Sequence, residues 1–215
     1  MWVYLDIETT PPWDRPPDPA KVKVPKNYKD PKTIAAYRAE NAYEQWADGA
    51  TSPHLAKVFV ICAAIDDGPV FSVQNASEGH CVTSFGAWLE EHAPLPVHHA
   101  EPSPILCAFN GVSFDFKLLA LRASKYGMPA LARRLMPTNS RYGDSTHRDP
   151  FVALGHEGKM HEWADFFGLD YTPEPDWLYK EWARAGRNEY VAAKCAQDVH
   201  VLRELTDKLR AGGLM

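Results

Sequence analysis

The run at residues 104–109, PILCAF, is apolar throughout and is bounded by loop-forming residues. A run of this length suits a β-strand, and a strand without polar side chains is buried on both faces. Because a strand of this kind lies inside a sheet, other elements must cover both of its sides. This segment therefore predicts a layered fold in which helices pack on a sheet.

The rest of the chain supplies further strands and helices for such a fold. Strand-like runs occupy residues 2–7, 57–66 and 69–74, and helical patterns occupy 32–47, 84–93, 113–127, 161–168 and 188–210. The proline-rich segment after residue 10 must be irregular, so we interpret residues 11–53 as an inserted arm and helix. The order of these elements predicts an α/β fold, a mixed sheet flanked by helices, in one domain over residues 1–215.

Composition limits the classes of protein to which this chain can belong. Hydrophobic residues make up 45% and charged residues 24%, which is enough apolar material for a core. The net charge of −5 argues against an extended surface that coats a duplex, but not against a small site where metal ions meet phosphates. The absence of a long apolar run argues against a membrane span, and four widely spaced cysteines suit reduced thiols in a core. These features favour a cytoplasmic protein, whereas composition does not indicate the source, for which a bacterium or a phage is our separate expectation.

Two acidic residues, Asp6 and Glu8, lie two positions apart in the first strand. Because side chains alternate between the faces of a strand, both carboxylates project from one side, whereas Leu5 and Ile7 enter the core. Neighbouring carboxylates repel each other, and a fold tolerates them more easily when a cation lies between them. The alternative is an exposed strand end with two solvated acids.

Two further acids lie on helices of the carboxyl-terminal part. Asp115 lies just inside a helix that we expect Ser113 to cap, where the helix dipole alone would stabilise a carboxylate. Asp198 lies in the middle of the last helix and borders the apolar stripe that contains Cys195. Lys194 precedes Asp198 by four residues, so the pair is either an ordinary ion pair or a metal ligand beside a cationic catalytic residue.

Three segments resemble the motifs of the DEDD (DnaQ-like) 3′–5′ exonuclease superfamily, and they follow the order of that family. They are LDIET at residues 5–9, FNGVSFDFKLLALRA at 109–123 and CAQDVHVLREL at 195–205. The chain is most similar to the predicted exonucleases related to the proofreading domains of family B polymerases, over about residues 2–10 and 55–210. The resemblance implies a ribonuclease H-like fold with a mixed five-stranded sheet.

The resemblance also implies a catalytic site in which four acids bind two Mg²⁺ or Mn²⁺ ions. Asp6 would bridge both ions, Glu8 and Asp198 would complete one site, and Asp115 would help to hold the second ion through water. Substrate contacts are expected from three residues next to these acids, namely Thr9, Asn110 and Phe114. For the last two, a turn residue and a core aromatic are the alternatives.

The implied activity is a metal-dependent 3′–5′ exonuclease that hydrolyses DNA, with single strands favoured as the substrate. A ribonuclease that acts on short RNA is one alternative, and a catalytically silent nucleic-acid-binding module is another. A polymerase or another replication partner would act in trans, since the sequence contains no polymerase segment.

The chain departs from the family at the residue that orients or deprotonates the attacking water. The family has a tyrosine four residues before the last aspartate or a histidine five before it, and here these positions hold Lys194 and Ala193. Lys194 is then a neutral base, a charged group that orients water or phosphate, or the sign of an impaired site. A histidine from the region 147–161 is a further candidate.

Other charged residues between the second and third motifs have weaker claims to a role. We expect Asp149 to be structural rather than catalytic. A group of basic side chains either grips a nucleic-acid backbone or forms a solvated face: Arg122, Lys125, Arg133, Arg134, Arg141 and Arg148.

Overall fold

Two compact units make up the chain in a computed structural model that describes residues 1–11, 18–96, 102–136, 146–173 and 188–215. The first unit comprises residues 1–8 and 58–215, and the second comprises residues 9–57. The second unit contains the segment 11–53 that the sequence sets apart, and the single exonuclease domain stays a prediction. Arg141 and the arm residues 12–17 lie outside the described residues.

The sheet contains five strands in the order β3-β2-β1-β4-β5. These strands are β1 (Trp2–Thr10), β2 (Lys57–Ile65), β3 (Phe71–Gln74), β4 (Ile105–Cys107) and β5 (His147–Arg148). Strands β2 and β3 pair antiparallel, whereas β4 pairs parallel with both β1 and β5. In this register Tyr4 lies opposite Cys107, and Leu106 lies opposite His147. The sheet is therefore mixed, and the predicted α/β, ribonuclease H-like fold is confirmed.

Helices of the first unit flank this sheet, and one further helix, the first in the chain, lies in the second unit. They are α1 (Pro31–Ala47), α2 (Glu78–His92), α3 (Asp115–Lys125), α4 (Pro129–Leu135), α5 (Pro150–Ala153), α6 (Met160–Phe166) and α7 (Asn188–Ala211). Among the described helices, none has the length and apolar character that crossing a bilayer requires.

One face of the sheet packs against α7 and forms an apolar cluster with it. The cluster consists of Tyr4, Val60, Cys62, Ala64, Cys107, Val191, Cys195, Val199 and Leu202. Its α7 members recur at intervals of four and three residues, which is the period of one face of a helix. On β1, Leu5 and Ile7 are also buried, as the sequence predicts, and strand alternation directs them to the opposite face. All four cysteines are buried and free, in agreement with the expected reduced thiols.

Helix α3 begins at Asp115, and the prediction that Ser113 caps it was wrong. Phe114 is the N-cap residue and makes no capping hydrogen bond with its side chain. The backbone N–H groups of Ser113 and Phe114 both donate to the carbonyl of Asn110, at 3.2 and 3.1 Å. Because Ser113 belongs to this tight turn, the helix starts only after the turn is complete.

The second unit contains α1, which begins at a well-defined N-cap. Asp30 is the N-cap residue, and its carboxylate accepts a hydrogen bond from the backbone of Thr33. Buried apolar residues in this unit include Val22, Ala42 and Trp46. The second unit therefore contains buried apolar side chains of its own.

Candidate active site

Three carboxylates converge on the face of the sheet that packs against α7. Strand alternation puts Asp6 and Glu8 on the same side of β1 as Tyr4, which belongs to the cluster under α7. Asp6, Glu8 and Asp198 each offer one oxygen atom, and these atoms lie within 4.8 Å of one another. We call these three residues the acid cluster. Hard oxygen donors at this spacing are the ligands that Mg²⁺ and Mn²⁺ prefer, so the chemistry of the donor set fits a divalent cation.

Helix α7 contributes both an acid and a cation to this place. Asp198 is only 8% exposed to solvent, and Lys194, one turn earlier, is 5% exposed. The ammonium of Lys194 contacts Oδ1 of Asp198 as a buried ion pair within the helix. Lys194 is thus part of the site, and it lies on one ligand oxygen of the acid cluster.

A tyrosine that the sequence analysis missed completes this arrangement. Tyr171 follows α6 and donates its hydroxyl hydrogen to Oδ1 of Asp198 at 2.9 Å. Its hydroxyl oxygen accepts a hydrogen bond from Nζ of Lys194 at 2.5 Å, and that nitrogen also lies 4.2 Å from the centroid of the tyrosine ring. The site therefore contains a phenol, although position 194 of the last motif does not supply it.

Asp115 lies near the acid cluster but does not belong to its set of converging oxygens. Burial is the main influence on Asp115 and raises its pKa to about 7. Neighbouring backbone groups, including that of Ile7 between the two strand acids, act in the opposite direction. The negative charge of Asp115 in turn raises the pKa of both Asp6 and Glu8, so the four acids share one electrostatic environment.

Burial and mutual repulsion make the acid cluster hold protons strongly. Burial raises the pKa of Asp6 well above its usual value, and the charges of Asp198 and Glu8 raise it further. The pKa of Glu8 rises to about 8, mainly through burial and then through the charge of Asp198. Burial also raises the pKa of Asp198, against the opposing effect of Lys194. A group of carboxylates this close together needs protons or cations to balance it.

The three candidate substrate residues have different surroundings. Asn110 adopts a left-handed backbone conformation with φ of 58°, and its backbone N–H donates to the carboxylate of Asp149 at 2.8 Å. Phe114 is half-buried at the start of α3. Thr9 belongs to the second unit, where its hydroxyl donates to the carbonyl of Ala50 at 2.6 Å. Asn110 is therefore a turn residue at least, and the substrate roles of all three stay predictions.

Asp149 has a structural role, as the sequence analysis expects. It is buried and accepts hydrogen bonds from the backbone N–H groups of Asn110, Val112 and Phe151, at 2.8, 3.0 and 3.0 Å. These bonds fix the turn that precedes α3. Asp149 therefore helps to set the position from which Asp115 approaches the acid cluster.

The basic residues after the second motif are partly used inside the fold. Nε of Arg122 donates to the buried carboxylate of Glu78 at 2.7 Å, and Lys125 contacts the same carboxylate at 3.1 Å. Arg134 donates to the backbone carbonyl of Leu89 at 3.3 Å. Arg122 and Arg134 are thus used inside the fold, whereas Lys125 and Arg133 are exposed to solvent.

The histidines between residues 147 and 161 do not contribute a ligand to the acid cluster. His147 is buried in β5, where its ring meets the ring of Phe116 edge to face. His156 is exposed and packs against Phe151. The described site is therefore built without a histidine.

No protein-family model and no curated protein sequence matches this chain. Among solved structures, the chain is similar to the family B DNA polymerase from the hyperthermophilic archaeon Pyrobaculum calidifontis, with a TM-score of 0.58 and 18% sequence identity. The similarity covers 96% of this chain and 24% of the polymerase, so the chain spans about a quarter of that protein. At this identity the match shows a shared fold, which agrees with the fold expected from the resemblance to proofreading-type exonucleases.

Proposed function

We propose that this protein is a metal-dependent 3′–5′ exonuclease that hydrolyses single-stranded DNA. The observation that carries the proposal is the acid cluster, in which one oxygen from each of Asp6, Glu8 and Asp198 lies within 4.8 Å of the others. The similarity to a DNA polymerase supports a role connected with nucleic acids. We propose the same two Mg²⁺ or Mn²⁺ ions that the motifs imply, with Asp115 as the additional acid.

Each side chain of the site has a task that its position supports. Asp6, Glu8 and Asp198 would hold a divalent ion, and Asp115, which shares their electrostatic environment, would face the second. Bound divalent ions would stabilise the negative charge of the phosphate and lower the pKa of the attacking water. Lys194 would add N–H donors beside the same phosphate.

The proposal is tested by incubating 5′-labelled single-stranded DNA with the protein and Mg²⁺ or Mn²⁺. We expect products that shorten one nucleotide at a time from the 3′ end, with release of nucleoside monophosphates. Asp6→Asn should lower the rate by at least about a thousandfold, because it removes the charge of a central metal ligand. Asp165→Asn changes an exposed acid on α6 and is the matched control, which should retain full activity. Absence of metal-dependent cleavage by the wild-type protein would refute the proposal.

A catalytically silent nucleic-acid-binding module is the second candidate. The contact of the Lys194 ammonium with Asp198 favours it, because this contact occupies one ligand oxygen of the acid cluster. Such a module would bind labelled DNA equally well with and without a metal chelator and would leave it intact. A labelled RNA of the same sequence, assayed in parallel, distinguishes the ribonuclease from the DNA exonuclease.

We further propose that the protein acts in trans for a polymerase on a separate chain. This proposal predicts that the protein removes a mispaired 3′ end from a primer and allows a polymerase without its own exonuclease to extend that primer. An unchanged yield of extended primer would argue against such a partner.

A further inference from the structure

The Lys194 ammonium contacts a carboxylate of the acid cluster. It contacts Oδ1 of Asp198, and Asp198 is one of the three carboxylates whose oxygens converge within 4.8 Å. The charge of Lys194 also opposes the rise in pKa of both Glu8 and Asp198, so it acts electrostatically on at least two members of the cluster.

We propose that Lys194 is a resident cation of the acid cluster, which competes with a divalent ion for Asp198, and that Tyr171 holds the ammonium when the ion displaces it. The proposal rests on the proposed function for its metal requirement, and it goes beyond that function by assigning the residues that set the metal affinity. It makes the protein bind its metal more weakly than the three carboxylates alone would.

Tyr171 offers the ammonium a second set of contacts. Its hydroxyl oxygen accepts a hydrogen bond from Nζ of Lys194 at 2.5 Å, and its ring face lies 4.2 Å from the same nitrogen. A cation over an aromatic ring is stabilised by the ring's electron density. Loss of the Asp198 contact therefore leaves Lys194 with a hydrogen-bond acceptor and a ring face, and the charge stays beside the site.

The structure explains why this arrangement affects metal affinity rather than folding alone. A divalent ion and an ammonium on the same carboxylate repel each other over a short, weakly screened distance. Removal of the ammonium should therefore strengthen metal binding, whereas damage to the fold would weaken it. A lower or a higher Kd for the metal therefore distinguishes loss of a competing charge from damage to the fold.

The experiment is a Mn²⁺ titration of the full-length protein without nucleic acid, followed by the electron paramagnetic resonance signal of free Mn²⁺. The pH should be about 8.5, which lies above the pKa of about 8 of Glu8. We expect Lys194→Met to lower the Kd for Mn²⁺ by about tenfold and Lys194→Arg to stay within about threefold of wild type. Tyr171→Phe, which keeps the ring and removes the hydroxyl, should raise the Kd by about twofold to threefold, because the displaced ammonium loses its remaining hydrogen-bond acceptor.

The controls separate this proposal from the proposed function. Lys208→Met removes an exposed lysine from the same helix and should leave the Kd unchanged. Far-UV circular dichroism checks folding, and Lys194→Gln replaces Lys194→Met if that variant does not fold. Equal or weaker Mn²⁺ binding by a folded, neutral variant at position 194 overturns this inference alone. No Mn²⁺ binding by any variant overturns the metal-dependent function as well, whereas tighter binding without DNA cleavage supports the inference and refutes the exonuclease.

Discussion

The buried carboxylate of Glu78 joins β2, α2 and α3, and its replacement by glutamine should destabilise the fold strongly. Glu78 retains 6% of its exposed surface. Its oxygens accept hydrogen bonds from the backbone N–H of Val58 at 2.9 Å, from Arg122 at 2.7 Å and from the Tyr126 hydroxyl at 2.8 Å. Because α3 begins with Asp115, this network also fixes the helix that carries one of the site acids.

The magnitude follows from the burial of the two charged partners. The side chains of Glu78 and Arg122 are only 6% and 9% exposed, so Glu78→Gln leaves a buried guanidinium without its carboxylate. Removal of one partner from a buried ion pair costs about 3–5 kcal/mol. Lys125 adds little to this value, because its side chain is 57% exposed and solvent screens the charge.

The effect should depend on pH in a defined direction. Burial alone would raise the pKa of Glu78, but hydrogen bonds from Val58, Tyr126, Arg122 and Lys125 outweigh it and lower the pKa below the usual 4.5. An acid whose pKa is lowered in the folded state stabilises the fold above its unfolded pKa and loses this effect as the pH falls through the folded value. The difference between wild type and Glu78→Gln should therefore be largest at neutral pH and shrink at acidic pH.

Urea unfolding, followed by tryptophan fluorescence, measures this difference directly. We expect the free energy of unfolding to fall by about 3 kcal/mol at neutral pH. The double variant Glu78→Gln/Arg122→Met should recover part of the loss, because it removes the buried charge that the single variant leaves behind. A loss below about 1 kcal/mol, or a loss that does not change with pH, would refute the account of the network.

Three further predictions concern the site and its supporting turn. In the presence of a chelator, the protein should lose stability as the pH rises from 4.5 towards about 8, because Glu8 has a raised pKa in the folded state and holds its proton more tightly there than in the unfolded chain. The melting temperature should fall over this pH range, by about 2–4 °C for each kcal/mol of stability lost. Saturating Mg²⁺ in place of the chelator, or the substitution Asp6→Asn, should reduce this fall. A melting temperature that does not change with pH would contradict the prediction. Gly111→Ala should destabilise the fold by about 1–3 kcal/mol in urea unfolding, because a Cβ at this position would lie 2.4 Å from Cβ of Ala108. Asp149→Ala should cost at least about 2 kcal/mol in the same assay, because three backbone N–H groups lose their acceptor, and unchanged stability would show that water replaces it.

The fold was predictable from sequence wherever local periodicity is strong. The second strand was expected at residues 57–66 and is Lys57–Ile65, and the last helix was expected at 188–210 and is Asn188–Ala211. Strand β5 could not be found in this way, because its two residues, His147–Arg148, show no alternation and are extended through their pairing with β4. The short helices α4 and α5 were also missed, although each begins with a proline at its first position.

The candidate site was predictable in part, for a similar reason. Alternation on β1 places Asp6 and Glu8 on one side of the strand, and the helical period places Asp198 beside the apolar stripe of α7. That these three acids meet was implied only by the resemblance of the three motifs to the DEDD exonucleases. Tyr171 lies in an irregular stretch after α6, where no period relates it to Asp198. The available signal was indirect, because the absence of the usual phenol from the last motif could have directed a search for a tyrosine elsewhere in the chain, whereas the sequence analysis considered Lys194 and a histidine.

The acid cluster is difficult to explain as a purely structural feature. Its strand positions lie on the face that packs against α7, beside apolar residues such as Tyr4 and Cys195. Asp6 and Glu8 are half-buried. Apolar side chains at these positions would extend that core without the repulsion between neighbouring carboxylates. Among the described residues, the ammonium of Lys194 contacts the cluster at Asp198, and one positive charge does not balance three carboxylates with raised pKa values. Within this part of the chain, protons, which are lost as the pH rises, or a cation taken from solution would balance the remaining negative charge. A site that is destabilising when empty and stabilising when loaded is expected where the cation itself is needed for function.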